Sequence, residues 1–274
     1  MQREFDPGYG AEPFLTLCRE YPGGDVYPIG DFRVEWGPIF HRGRLDGSAR
    51  LLVIGQDPAA HEAVTRRVLV GTAGQRLQGF MARLGLDRSY VIINTFLYSV
   101  YGQGGGQRHQ DDPLIAAYRH RWLDALMLES RIQAVVTLGG LADAAWRIWI
   151  ATPAAAGVQV AYARMTHPTQ PEGSAGTDRT KLAEATARLL VNWNAALDVV
   201  YPAITAPDTP RRLRHYGTAW TTRALAPVPE RDLPAGLPEW MRGGRRWSRR
   251  VGATTDEKRR TLSITVPPSV HFEA

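Results

Sequence analysis

RLLVIGQDPAAHE, residues 50–62, is the stretch on which the fold turns. Arg50–Ile54 is a short apolar run with no polar alternation, and it stops abruptly at Gly55. Such a run, bounded by turn residues, reads as a strand buried on both faces. Three further segments read the same way: Tyr90–Asn94 (YVIIN), Gln133–Leu138 (QAVVTL) and Val158–Met165 (VQVAYARM). Helical patterns lie between and around them. Residues 73–86 place Leu77, Phe80, Met81 and Leu84 at helical spacing, and Gly85 sits near the end. Pro113 suits the first turn of a helix running to about residue 129. A third helix covers 141–150, Asp178 caps a fourth that reaches about Val200, and Pro13–Tyr21 is a short helical candidate. Strands alternating with helices predict an α/β fold of three layers, αβα, around a central four-stranded parallel sheet. In such sheets the ligand lies beyond the carboxyl ends of the strands.

The rest of the chain fits one such unit with an appendage. The chain has 274 residues and a net charge of +6, with a sequence pI near 9.7. Its 44% hydrophobic and 22% charged residues are ordinary for a globular protein and exclude a wholly disordered chain. The charge is unevenly placed. Residues 1–204 carry 20 Lys+Arg against 20 Asp+Glu, whereas residues 205–274 carry 13 against 7, so the whole excess lies in the last quarter. Texture changes there too, with seven prolines between residues 202 and 238, then EWMRGGRRWSRR at 239–250 and a possible strand TLSITV. The expected organisation is a domain over 1–204 and a basic, Pro/Arg/Trp-rich extension over 205–274. A single cysteine, Cys18, excludes a disulfide within the chain and any site built on several thiolates. No apolar run approaches the ~18 residues that span a bilayer, and the polar start MQREFDPGYG does not read as a secretory signal. The expectation is a soluble, monomeric, cytoplasmic protein without membrane contact.

Three polar residues fall at strand ends. Asp57, in a Gly-Gln-Asp-Pro turn, could orient a water or stabilise a cationic centre, or simply bond the turn and cap the next helix. His167 precedes Pro168, which restricts its backbone and fixes the imidazole's direction. It could donate to a developing anion, or be a structural hydrogen-bonding group. Asn94 offers a donor and an acceptor, suited to reading a base edge or to tying two loops together. The glycine-rich loop Gly102–Gly106 could bring backbone amides to phosphates, or be merely flexible. His61, Glu62, His109 and His120 match no strong metal spacing, so no metal site is expected.

These strand-end segments together resemble the uracil-DNA glycosylase superfamily. LLVIGQDPAAHE is similar to its motif A, which in the best-known branch reads GQDPYH after a hydrophobic strand. MTHPTQP is similar to motif B, usually HPSP-like. VLVGTAGQRL resembles the F-V-G-x-A-G-x-x-L segment of the thermophilic branches, VIINTFLYSVYGQ the strand whose asparagine reads uracil, and VVTLGGLADAAW the third strand with its glycine turn. The order holds from about residue 30 to 200.

The resemblance implies a uracil-DNA glycosylase-like fold and a monofunctional hydrolase that extrudes a nucleotide from DNA and cuts its N-glycosidic bond in base excision repair. It assigns Asp57 to positioning the attacking water and steadying the cationic sugar, and His167 to stabilising the departing base. Asn94 reads the base and Gln56 bounds its pocket. The chemistry requires no cofactor or metal. The sequence departs from the best-known branch in informative ways. Ala59 stands where a tyrosine excludes the 5-methyl of thymine, and PAAH places His61 at the histidine of another branch. Leu69 replaces the aromatic that stacks on uracil, and Pro171 replaces the leucine that wedges into DNA. Thr169 and Gln170 complete that DNA-facing turn. The iron–sulfur cysteines of the thermophilic branches are absent. DNA is the expected partner, and the extension adds Arg245, Arg246, Trp247, Arg249 and Arg250 as a backbone-neutralising and stacking surface, or as a strap packing its tryptophans on the domain. The alternatives are a nucleic-acid-binding protein without catalysis, and an enzyme acting on a free nucleobase or nucleoside.

Overall fold

The computed structural model describes residues 10–102, 106–128, 131–243 and 246–270. Its main sheet has five strands: β1 (His41–Gly43), β2 (Leu51–Gly55), β3 (Tyr90–Asn94), β4 (Ala134–Leu138) and β5 (Ala161–Met165), in the spatial order β1-β3-β2-β4-β5. The four strands read as apolar runs are parallel, and every residue of β2, β3 and β4 is buried. The fifth, β1, is an antiparallel edge that pairs His41 with Ile93 and Gly43 with Val91. Its sequence, HRG, has no apolar pattern, so periodicity could not reveal it. Only glycine fits at position 43, where φ is +98° and a Cβ would lie 2.2 Å from the Tyr90 carbonyl oxygen.

The helices are α1 (Phe14–Arg19), α2 (Ala60–Thr65), α3 (Thr72–Arg83), α4 (Pro113–Leu128), α5 (Gly140–Ile150), α6 (Gln170–Ala175), α7 (Arg179–Val200) and α8 (Thr255–Arg260). Asp178 caps α7 as its sequence suggests, its Oδ1 accepting from the Thr180 and Lys181 amides at 2.9 and 3.0 Å. The chain steps from β2 to β3 in one direction across the sheet and from β3 through β4 to β5 in the other. Right-handed crossovers then require helices on opposite faces. Accordingly Leu77, Phe80 and Met81 of α3 pack with Leu189 and Trp193 of α7 on one face. Ile115 and Trp122 of α4 pack with Ala142 and Trp146 of α5 on the other.

The change of texture after residue 204 is not an edge of the packed core. Tyr216 and Ala224 belong to the same apolar cluster as Leu189 and Trp193. A Cβ on Gly79 would stand 2.0 Å from the Ala224 carbonyl oxygen, so the extension runs flush along α3. Asp208 accepts from the Asp87, Arg88 and Ser89 amides at 2.8–2.9 Å. Deepest of all, Asp232 Oδ2 receives Arg42 at 3.0 Å and the Tyr90 hydroxyl at 2.6 Å, with both charged side chains at most 1% exposed. The extension ends in a small antiparallel pair, β6 (Ser248–Arg250) with β7 (Leu262–Ile264). The described residues of 205–270 thus form a strap fastened to the domain.

Breaking a buried ion pair at one partner typically costs about 3–5 kcal/mol, because the other charge stays buried alone. Asp232→Ala is therefore expected to lower unfolding stability by that amount in urea titration. Asp198→Ala, which removes the exposed partner of His215, serves as the control and should shift stability by less than ~1 kcal/mol.

Candidate active site

The register of the sheet brings the strand ends to one level: Gly55 pairs with Asn94, and Leu138 with Met165. Beyond them opens a cleft of about 1380 Å³. Gln56, Asp57 and Ala59 line it from the turn after β2, Ser99 and Val100 from the segment after β3, Gly139 from the turn after β4, and His167 and Thr169 from the turn after β5.

Asp57 is the single carboxylate among the described residues lining the cleft, which also holds Arg164, Arg188 and Arg250. One of its oxygens accepts from the Val100 amide at 3.0 Å. Loss of water pushes its carboxyl up to about 6; the Val100 amide, Arg250 and Arg33 act against that rise, and Glu62 adds to it. The Val100 segment is held in turn. Arg33, 4% exposed, donates to the Ser99 hydroxyl at 3.1 Å and the Val100 carbonyl at 2.5 Å, and lies 4.0 Å from the Tyr101 ring centroid.

His167 stands across Gly139 from Gln56. A Cβ on Gly139, where φ is +92°, would fall 2.8 Å from Gln56 Nε2 and 3.5 Å from His167 Cβ. Burial and the neighbouring Arg76 push the imidazole down to about 4, with Glu172 opposing, so it is neutral at physiological pH. The Thr169 amide donates to His167 Nδ1 at 3.4 Å, and the Thr169 hydroxyl lies 3.2 Å from the same atom. An Nδ1 that accepts leaves the proton on Nε2, which makes the ring a neutral donor. Arg76 of α3 clamps this turn, donating to the Pro168 carbonyl at 2.5 Å and gripping Glu172 of α6 with both nitrogens. From α7, Asn192 Oδ1 accepts the Thr166 amide at 2.6 Å, and the Trp193 indole donates to the Thr166 carbonyl at 3.0 Å.

Asn94 turns its amide over Gly55, where a Cβ would meet Asn94 Oδ1 at 2.3 Å and Leu69 Cδ1 at 3.6 Å. Both polar atoms of the amide are buried and unpaired among the described residues. One group thus carries both an unmet donor and an unmet acceptor. Leu69 adopts φ +52° and is buried. Neither residue lines the wide cleft itself.

Other sequence expectations divide. Thr169 and Gln170 line the cleft and Gln170 is exposed, but Pro171 is buried in the first turn of α6, so it does not project as a wedge. His61 is not open to the cleft: its ring meets Trp247 edge-to-face at 4.6 Å. Trp247 is only 3% exposed, and its indole donates to the Met241 carbonyl at 3.0 Å. It packs on the domain and offers no face for a base to stack on. Arg246, Arg249 and Arg250 are exposed, whereas Arg245 and the centre of the glycine-rich loop, 103–105, lie outside the described residues. Glu62 binds backbone rather than metal, accepting from the Ala59 and Val70 amides at 3.0 and 2.8 Å, which ties the Asp57 turn to the Leu69 turn. His109 lies 2.8 Å from Asp31. Among the described residues, no three His, Cys, Asp or Glu side chains gather as metal ligands. No described helix is long and apolar enough to cross a membrane. Arg33, Arg76 and Asn192 escaped sequence reading as site-shaping groups, since each acts on a segment remote in the chain, whereas Glu62 was weighed only as a metal ligand and ties two nearby turns.

A mostly parallel sheet thus carries a desolvated carboxylate and a neutral histidine at the carboxyl ends of its strands. A family model described as the uracil DNA glycosylase superfamily matches residues 42–191, more than half of the chain, and the chain belongs to that superfamily. No curated protein matches it.

The Asp57 carboxyl binds its proton more tightly in the folded chain, at about 6, than its ordinary value of 3.8. Its ionisation therefore costs folding stability above about pH 6, and the cost vanishes below about pH 4. Asp57→Asn is expected to raise the melting temperature at pH 7.5, with the gain disappearing in a scan at pH 4. Gly55→Ala is expected to displace the Asn94 amide, and a crystal structure or amide NMR shifts of the variant would register it.

Proposed function

We propose that the protein is a DNA glycosylase that hydrolyses the N-glycosidic bond of uracil or a related damaged base, as a step of base excision repair. The observation that carries this reading is the joint exposure, in one cleft, of desolvated Asp57 and of His167 held as an Nε2–H donor. The extruded nucleotide enters the cleft, and the bond between C1′ and the base nitrogen breaks with its electron pair going to the base. His167 Nε2–H donates to the departing base anion. Ionised Asp57 faces the cationic sugar and orients a water. The water adds to C1′, and its proton is lost toward the carboxylate. Asn94, whose buried amide lies outside the cleft lining, reads the base edge once the base has passed Gln56. Ala59 leaves room at the pocket rim, and Leu69 supplies an aliphatic wall where an aromatic would stack. Thr169 and Gln170 meet the DNA strand, and Arg246 and Arg249 neutralise its backbone.

The test is base release from single- and double-stranded oligonucleotides carrying uracil, hypoxanthine or xanthine, read as alkali-labile strand cleavage under enzyme excess. At least one substrate is expected to be cut. Asp57→Asn should slow the cut by about 10²–10⁴-fold, and His167→Ala by about 10²–10³-fold. The rate should fall as pH drops through about 6, where Asp57 takes up its proton, while His167 stays neutral throughout. Absence of release from every lesion, or an Asp57→Asn variant with wild-type rates, would overturn the reading.

A further inference from the structure

The family match ends at residue 191, yet the cleft it encloses is completed by a residue from far beyond it. Arg250, on β6 of the strap, lines the same cavity as Asp57 and His167. Its position is enforced by its neighbours. Trp247 is buried against His61, and the Ser248 hydroxyl, 0% exposed, donates to the Ala60 carbonyl at 3.0 Å. Strand geometry alternates side chains between faces, so Arg250 shares the inward face of Ser248 while Arg249 turns the other way. The partner strand holds this register, with Ser248 opposite Ile264 and Arg250 opposite Leu262, and the Thr265 amide bonds the Trp247 carbonyl at 2.7 Å. In α8, which connects β6 to β7, the Trp36 indole donates to the Arg259 carbonyl at 3.0 Å, and the Arg259 guanidinium lies 4.0 Å from the Tyr101 ring centroid.

The charge so delivered has no hydrogen bond or close ion pair to any described residue, although it lies within electrostatic reach of Asp57. Arg33, the other cation near Asp57, is spent on Ser99 and Val100 and stacked on Tyr101. An exposed guanidinium without a close partner among the described residues, carried on a backbone held by its neighbours at the rim of a cleft, awaits an anion. On DNA the anions are phosphodiesters, and extruding a nucleotide swings its flanking phosphates to the mouth of the pocket that receives the base. A guanidinium fork matches phosphate oxygens in pairs.

We propose that Arg250 grips a phosphodiester adjoining the extruded nucleotide, so that the C-terminal strap supplies a substrate-binding residue of the active site. The proposal rests on the glycosylase reading for its substrate, but its own test does not require catalysis.

The full-length protein and its Arg250→Gln variant would be compared on single-stranded oligonucleotides. Each oligonucleotide carries an uncharged methylphosphonate 5′ or 3′ of the lesion, or neither. Arg250→Gln is expected to slow single-turnover release by about 10–100-fold, the worth of one charge-assisted contact. One of the two methylphosphonates should slow the wild type by a similar factor and leave the variant within about twofold of its own rate on natural DNA. Arg250→Lys should recover part of the loss. The same oligonucleotides with a tetrahydrofuran abasic residue read the contact by affinity alone. There, the slope of log K against log salt should fall by about 0.7 in the variant. Equal methylphosphonate penalties in wild type and variant, with an unchanged salt slope, would overturn the role of Arg250. If no base is released by the wild type, the glycosylase reading falls, and the abasic oligonucleotides still decide whether Arg250 holds a phosphate.

Discussion

The register between β2 and β3 is the constraint from which the site follows. Pairing Gly55 with Asn94 puts the amide of one over the bare Cα of the other, at the point where both chains leave the sheet. A slip of one residue would turn Asn94 to the opposite face and drive Ile54 or Gln56 under it. Because β2 lies in the middle of the sheet, the same register fixes where the Asp57 turn ends relative to the turns after β4 and β5. Two cross-links carry this alignment beyond the ladder, from the Thr95 amide to the Gly55 carbonyl and from the Phe96 amide to the Gln56 carbonyl, at 2.9 and 3.0 Å.

Upon this frame the chain places groups that favour function over stability. Asp57 holds a charge where water is scarce, and Asn94 leaves two polar atoms unpaired. Each is an expense in the free protein, and both are tolerated because the segments around them are over-determined. Arg33 fixes the Val100 segment, Glu62 joins the Asp57 and Leu69 turns, and Arg76, Asn192 and Trp193 hold the His167 turn. The clamps are buried or half-buried.

What could be read from the sequence follows the reach of local physics. Strands buried on both faces announce themselves as apolar runs, so β2, β3 and β4 were legible almost to the residue. The carboxylate, amide and imidazole at their ends were legible because glycine and proline mark those turns. Strand β1 was hidden because its central residue is an arginine whose partner stands 190 positions away. The strap was legible as a change of texture but not as a packed element. Arginines interleaved with tryptophans describe equally a surface that meets DNA and a ribbon that tucks its rings inward. Trp247 is tucked in, and Arg250 next to it faces the cleft. Burial separates the two cases, and composition does not encode burial. Burial likewise sets His61 against Trp247 and Pro171 in the first turn of α6.

The bond between Arg42 and Asp232 bears on the order in which the protein comes into being. The sheet and its crossover helices are complete by Val200, and the ladder of the sheet lies within chain already synthesised by that point. A nascent chain at that stage would carry Asp57 and His167 beside a cleft still lacking Arg250, with Arg42 waiting for its counter-ion. Contacts so distant in sequence form late and close the largest loops. The strap, which leaves the ribosome after the sheet, would thus both neutralise a charge in the interior and deliver one to the cleft, joining completion of the fold to completion of the binding surface.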